Sequence, residues 1–410
     1  MENIFREQIG NKMKIAIAGF AKYPSGGAVS NRLFMMAKGL ACLGHEVHFL
    51  LPFKYQPGPL AQEHEKVNVT WGEYVRDENA NSLLNKIMKR ISLYKIVRQQ
   101  LINKLDWLIL YDLGMEGLPF LIMAKRYRCY IASENCDIRI VTYNPIKERI
   151  IIIMYKISDM ILRPWYQLNF CVTKYLEQII KKKVPESSVV VVPAIVTVSD
   201  FKEDTTKGQQ FREKWNLGDN FIISYMGNLA PIHGLEILLE AGQYLIKKYK
   251  RVRITISGRN IDENRYEFLQ KIINKYKIHN EVVFTGFLST EEVIAAMSAA
   301  DILVSPQIDH DANKAGFPQK IAEYLSIGKP VVTSATGDIS LYLKNGENAL
   351  LCKPGDPVSL AMALERLINE ADLRKQLSKK SREAACRYFD CIAMAKKIEE
   401  AFKRTEVLVK

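Results

Sequence analysis

Short apolar runs crowded with Val, Ile and Leu alternate along this chain with longer stretches in which apolar residues recur every three or four positions. The first runs are KIAIAG (14–19), EVHFLLP (46–52), WLILYD (107–112), CYIASE (129–134), FCVT (170–173) and VVVVP (189–193). They are apolar at successive rather than alternate positions, the pattern of strands covered on both faces. The stretches between them read as helices. In NRLFMMAKGLACLG, for example, Leu33, Met36, Ala37 and Leu40 fall on one helical face. A second series follows the polar stretch AIVTVSDFKEDTTKGQQ: FIISYMG (221–227), VRITISG (252–258), EVVFTG (281–286), DILVSP (301–306) and PVVTS (330–334). Helical stretches such as LEILLEAGQYLIKKY and TEEVIAAMSAA separate these too. Strands buried on both faces, with helices between, predict parallel sheets covered on either side. The expected class is α/β, with two doubly wound Rossmann-like domains facing a cleft, at 13–195 and 196–390. A terminal helix within 391–410 has no strand after it and is expected to cross back to the first domain.

Length agrees with two domains, since 410 residues exceed one ordinary core. The net charge of +13 favours anionic partners, the alternative being a basic background shared with the rest of a proteome. Seven cysteines, at 42, 129, 136, 171, 352, 386 and 391, include no C-x-x-C pair, so neither a metal ribbon nor a disulfide framework is expected. The start, MENIFREQIGNK, is polar, and IAIAGFA is too short for a secretory leader. The run RIIIIMYKISDMILRPW is interrupted by Lys156 and Asp159 and does not read as a membrane span. A cytoplasmic protein with reduced thiols is the expectation.

In open parallel sheets, ligands bind beyond the carboxyl ends of the strands. After the first strand comes KYPSGGAVSNRL, where Gly26 and Gly27 precede a helix. They form either an anion site at a helix N-terminus or a tight turn that needs positive φ. No acid closes the second strand, which ends Leu51-Pro52-Phe53, and this disfavours a nicotinamide cofactor. Gly227, Gly258, Gly286 and Gly337 all stand at or just beyond strand ends of the second series, where glycine admits a close ligand. The segment KAGFPQKIAEYLSIGKPVVTS places Pro318 in a first helical turn and Lys320 and Glu323 on one face. Two readings stand: a diphosphate at Lys320 with a ribose at Glu323, or a plain surface ion pair. Asp309-His310-Asp311 reads as a solvated loop or a D-x-D metal triplet, and His45 and His48 read as structural. Finally, LLNKIMKRISLYKIVRQQLINKL (83–105) carries Lys86, Lys89, Arg90, Lys95, Arg98 and Lys104 and no acid. Leu84, Ile87, Met88, Ile91 and Ile102 recur near helical spacing, which predicts either an interfacial helix on an anionic membrane or a surface helix packed on the core.

GFPQKIAEYLSIGKPVVTS resembles the signature of GT-B retaining glycosyltransferases of family 4, in the subgroup with a Phe-Pro-x-Lys-x-x-Glu-Tyr-Leu core. YMGNLAPIHGLEILLEA, FTGFLSTEEVIAAMSAADILVSP and SGGAVSNRLFMMAKGLACLGHEVHFL are similar to further segments of that family. The resemblance covers most of the chain, strongly from Ile223 to Leu350 and thinly from Tyr55 to Asn169. It implies transfer of a sugar, with retention, from a nucleotide-diphospho-sugar to a cell-surface polysaccharide or lipid-linked acceptor. By the resemblance Glu323 holds the ribose, the Gly316-Phe317-Pro318 turn faces sugar and phosphates, and Gly286-Phe287-Leu288 lies beside the base. The chain departs from the pattern at Ala315, where the E-x7-E motif has its first Glu, and at Asn228 and His233, where Arg and Lys are usual. Lys320 then carries more of the diphosphate, assisted by His233 when protonated. Arg259, after Gly258, completes the candidate nucleotide-sugar set with Gly26, Gly27 and Gly227. No metal, separate cofactor or nucleic-acid partner is expected. The competing readings are a sugar-nucleotide 2-epimerase, which would want more acid/base groups, and a non-catalytic basic membrane-associated binding protein.

Overall fold

The structure, a computed structural model, describes residues 12–20, 27–53, 66–74, 83–111, 114–136, 145–185, 188–258 and 263–409. The chain divides into two compact units, Met1–Ile195 with Cys391–Lys410, and Val196–Asp390.

In the first unit the described elements are β1 (Lys14–Gly19), α1 (Ala28–Cys42), β2 (Glu46–Phe53), β3 (Val67–Tyr74) and α2 (Leu83–Ile102). They continue as β4 (Trp107–Tyr111), α3 (Leu118–Arg126), β5 (Tyr130–Asn135), α4 (Pro145–Leu162), β6 (Leu168–Cys171), α5 (Lys174–Lys181) and β7 (Val189–Val191). A 3-10 turn, Gly114–Gly117, leads into α3. The strands form one parallel sheet in the order β3-β2-β1-β4-β5-β6-β7. Their unbroken apolar runs are explained by two cores. Ile15, Ile17, Phe49, Trp107 and Phe170 point to one face, and Ala16, Ala18, Leu50, Leu108 and Leu110 to the other.

The second unit contains α6 (Thr205–Lys214), β8 (Phe221–Met226), α7 (Leu235–Lys248), β9 (Val252–Ser257), α8 (Glu263–Tyr276), β10 (Val282–Gly286), α9 (Thr290–Ala299) and β11 (Ile302–Ser305). After these come α10 (Asp311–Ala315), α11 (Gln319–Ile327), β12 (Val331–Ser334), α12 (Ile339–Tyr342), β13 (Leu350–Cys352), α13 (Pro357–Asn369) and α14 (Ala371–Tyr388). Its parallel sheet runs β10-β9-β8-β11-β12-β13. The direction of strand order reverses between β8 and β11, a topological switch point of the dinucleotide-fold kind. Ile223, Tyr225, Ile254, Ile256, Ile302, Val304 and Val332 carry the core under α7, α13 and α14.

The last helix, α15 (Cys391–Val409), packs on α1 in the first unit. Gly39 of α1 makes room for it, since a Cβ there would stand 2.2 Å from the Cys391 carbonyl oxygen. Phe402 stacks on Trp107 at 4.3 Å between ring centroids, and the Trp107 indole donates to Glu406 at 2.9 Å.

The structure adds two strands that the apolar runs do not announce. Both β3 and β13 are edge strands. In β3, VNVTWGEY mixes polar and apolar positions, as an edge allows, and β13 is three residues long. The basic helix ends at Ile102 rather than at 105, and Lys104 turns the chain with φ 57. No disulfide joins the described cysteines, and among the described residues no helix is long and apolar enough to cross a membrane.

Candidate functional site

Three neighbouring strands of the second unit end in glycine: Gly227 after β8, Gly258 after β9 and Gly286 closing β10. Their backbones are laced together beyond the regular sheet. Gly227 N–H donates to Ser257 at 2.9 Å, and Gly258 N–H donates to Gly286 at 2.8 Å. Gly258 is irreplaceable on geometry: its φ is 157, and a Cβ there would lie 1.8 Å from the Gly227 carbonyl oxygen. Beside this rim, α7 starts at Gly234, where a Cβ would lie 1.8 Å from the Pro306 carbonyl oxygen at the end of β11. Glycine thus lets a helix N-terminus seat directly at the switch point. That terminus has no side-chain cap, so its amide end presents partial positive charge.

Helix α11 crosses the same end of β8. The Tyr324 hydroxyl accepts from Met226 N–H at 2.7 Å and donates to the Met226 carbonyl at 3.0 Å, which pins the helix to the strand. One turn earlier, Lys320 Nζ donates to the Tyr225 phenol oxygen at 2.8 Å and sits 4.0 Å from that ring's centroid. Gly227 makes this possible, because a Cβ there would be 2.7 Å from Nζ. Burial lowers Lys320 to about 7, opposed by the charge of Glu323. Burial likewise raises Glu323 to about 7, opposed by Lys320. An ammonium held this far down is stabilised by any anion that reaches it.

His233 closes a 3-10 turn (Pro231–His233) just before α7. Burial, then the cations of Lys320 and Arg265, pull it down to about 3. The imidazole is therefore neutral at physiological pH, which corrects the expectation that its protonation assists an anion there. Its Nδ1 is buried and makes no hydrogen bond among the described residues. Arg265, on α8, donates through Nε to the Leu229 carbonyl at 2.7 Å and forks onto both carboxylate oxygens of Glu236. It ties the glycine loop to the first turn of α7. Nothing in the sequence marks Arg265, since an arginine in the amphipathic ENRYEFLQKIINKY reads as solvent-facing. Tyr225 and Tyr324 were hidden in the same way, as core residues of a strand and a helix.

The remaining sequence candidates fall into different places. Beside Gly286, Phe287 is exposed and Leu288 buried. A cavity of about 140 Å³ lies between Gly258 and Gly286, walled by Leu229, Ile256, Tyr266 and Phe284. Asn228 is committed to its own turn, its Oδ1 accepting from Ala230 N–H at 2.7 Å. Gly316 follows α10 in extended conformation, and Phe317 packs edge-on against Tyr342 at 5.5 Å and beside Phe389 at 5.3 Å. Pro318 caps α11 from outside rather than sitting in its first turn, its carbonyl accepting from Ile321 N–H at 3.0 Å. Ala315 is fully buried. Gly27 is the N-cap of α1 in the first unit, with φ 77, while Gly26 and Arg259 lie outside the described residues.

Asp309 and Asp311 both pair with Lys314, at 3.0 and 3.6 Å, and His310 Nδ1 accepts from Ala312 N–H at 3.1 Å. The triplet forms the capped start of α10, and no cluster of potential metal ligands occurs among the described residues. His45 accepts from Met13 N–H at 3.3 Å and faces Glu399 of α15 at 3.6 Å, and His48 meets Glu46 at 3.0 Å.

With this geometry in view, comparison with solved structures defines the fold. The structure matches Anabaena HepE in complex with UDP and glucose with a TM-score of 0.71 at 18% identity, over 95% of this chain and 99% of that one. It matches the sucrose-phosphate synthase of Thermosynechococcus elongatus with a TM-score of 0.73 at 16% identity, over 97% and 100% of the two chains. At such identity the likeness establishes the fold, which is that of the two-sheet GT-B glycosyltransferases. Residues 207–384 carry a domain that matches the family model Glycosyl transferases group 1. Alpha-D-kanosaminyltransferase of Streptomyces kanamyceticus is 24% identical over 187 residues, 45% of this chain and 46% of that protein. The capsular polysaccharide biosynthesis glycosyltransferase CapM of Staphylococcus aureus is 26% identical over 191 residues, 45% and 46% of the two chains. The chain spans about half the length of the curated relatives it matches.

Proposed function

We propose that the protein is a glycosyltransferase that binds a nucleotide-diphospho-sugar on its second unit. It would transfer the sugar, with retention, to a cell-surface polysaccharide or lipid-linked saccharide. The observation that carries this reading is the half-buried Lys320 ammonium, held beside Gly227 at the switch point where α7 presents uncapped amides. A diphosphate placed there receives a helix N-terminus and a poorly solvated cation together. As the sugar–phosphate bond breaks, negative charge grows on the leaving diphosphate, and Lys320 is positioned to stabilise it. Neutral His233 donates at most one N–H. Glu323, one turn along the same face of α11, accepts from the ribose hydroxyls. The apolar slot of about 140 Å³ between Gly258 and Gly286, next in the chain to Phe287 and Leu288, takes the base in this reading. The backbone of Gly316, Phe317 and Pro318 faces the sugar.

The acceptor belongs to the first unit in this reading, and the basic α2 sets that unit against the inner face of an anionic membrane. Lys95 and Arg98 are exposed there, and α2 contains no acid. The test is incubation with UDP-, GDP- and ADP-sugars, with product analysis by mass spectrometry. Free nucleoside diphosphate is the expected product. An altered sugar-nucleotide would replace the proposal with an epimerase, and the absence of both binding and turnover would leave a non-catalytic binding protein.

A further inference from the structure

Helix α4 carries an apolar stripe on its solvent side. Ile153, Met154, Ile157, Met160 and Ile161 are 56%, 64%, 47%, 67% and 43% exposed. Their spacing puts them along one face over two turns. Single exposed apolar residues are ordinary, but a contiguous row marks an interaction surface. The two charges that interrupt this run in the sequence do not interrupt the stripe. Asp159 is turned inward, bonded at 2.7 Å by Arg163 Nε and also paired with Lys183. Arg163 is itself fixed by Ser133 at 3.1 Å and by Asn135 and Asn169 at 3.0 Å. Lys156 stays exposed, and a lysine beside an apolar face keeps its head in water.

Elements next to α4 expose apolar residues too. The 3-10 turn Gly114–Gly117 packs against it, with Met115 exposed and Glu116 paired to Arg90 of α2. On α2, Leu93, Val97 and Leu101 enter the core, while Ile87, Met88, Ile91 and Ile102 remain exposed among the cations. Leu162 of α4 shares one core with Leu93, Val97 and Leu101 of α2, so both helices cover the same face of the sheet and that side of the first unit combines an apolar row with cations.

We propose that this surface is a bilayer contact in which α4 inserts Ile153, Met154, Ile157, Met160 and Ile161 among the acyl chains while α2 holds the anionic headgroups. The proposal rests on the reading that the first unit works against a membrane, and it adds an apolar anchor to that electrostatic one. A lipid occupant fits better than a second copy of this chain. A two-fold contact would bring the same cations face to face, whereas anionic lipid neutralises them. The stripe is too short to span and suits a helix lying in the interface.

The test uses the full chain with vesicles of phosphatidylcholine, with and without phosphatidylglycerol, at low and high salt. The variants are Ile157→Ser/Met160→Ser/Ile161→Ser, Lys95→Glu/Arg98→Glu and Met160→Trp, all at exposed positions. Wild type should sediment with anionic vesicles and keep a salt-resistant fraction. The serine variant should bind about tenfold more weakly at low salt and lose that fraction. The charge variant should bind more weakly at low salt and retain the salt-resistant fraction. The indole of Met160→Trp should shift to the blue on vesicles and be quenched by brominated acyl chains. Wild-type binding by the serine variant, or an unquenched indole, overturns insertion while leaving the electrostatic reading of α2 intact. Indifference of the wild type to all vesicles overturns both. A wild-type dimer abolished by the serine substitutions assigns the stripe to a second copy and overturns the lipid occupant. Unchanged nucleotide-sugar binding by every variant keeps the donor reading separate from these outcomes.

Discussion

Replacing Lys320 with Met removes a charge and keeps most of an aliphatic stem over the Tyr225 ring. If Lys320 holds the diphosphate, the variant loses a charge-assisted hydrogen bond worth about 1.5–3 kcal/mol, or roughly 10–150-fold in donor affinity. Binding of the bare nucleoside should change little. The pH dependence sharpens the argument. Free Lys320 titrates near 7, so binding above that pH must first restore its proton. Linkage then weakens wild-type donor affinity by roughly 8-fold between about pH 7 and 8.5, the ionisation of Glu323 over that range offsetting part of the Lys320 loss, and a nucleotide-sugar's phosphates do not titrate there. The Lys320→Met profile should lack this decline above pH 7 and keep only the fall at lower pH that Glu323 imposes. Stability has the opposite sign. A lysine whose folded pKa lies below its unfolded one costs stability at low pH, and the cost is relieved as pH rises from about 7 toward the ordinary lysine range. The methionine variant should therefore fold at least as well as wild type at neutral pH, so lost binding cannot be blamed on unfolding. Titration calorimetry with the nucleotide-sugar and the nucleoside, at several pH values, reads all of this. A flat wild-type profile, or equal loss for both ligands, would refute the assignment.

Glu323→Gln should cost about 1.5–3 kcal/mol of donor binding, measured by calorimetry, with the loss confined to ligands that carry ribose hydroxyls. Because Glu323 is raised to about 7, wild-type donor affinity should also decline as pH falls below that value, and the Gln variant should not follow. Gly258→Ala sets a methyl group against the Gly227 carbonyl at an unfavourable φ, so urea melts should show a loss of about 2–5 kcal/mol from clash and strain together. Retained wild-type stability would mean that the glycine rim is not rigid. Phe402→Ala removes the ring stacked on Trp107 and should destabilise the first unit by about 3–5 kcal/mol, while donor binding by properly folded protein stays unchanged.

Much of the architecture is local information. Runs such as KIAIAG and VRITISG are apolar on both faces, and a strand of that kind has one stable setting, inside a parallel sheet between helices. The carboxyl ends of those runs, with their glycines, could therefore be found before any coordinates, and so could the shared face of Lys320 and Glu323. Edge strands escaped because half of an edge strand faces water and its pattern weakens. Only the tertiary structure set Lys320 over Tyr225 in the space left by Gly227, and partial removal from water moved its proton affinity. The same packing brought Arg265 from a separate helix to bind the glycine loop, a contact with no trace in spacing or composition. It also decided which side of each amphipathic helix faces water. In α4 it withdrew Asp159 and left the isoleucines and methionines outside. Periodicity shows that a helix has an apolar face, but the neighbours it packs against determine whether that face is covered.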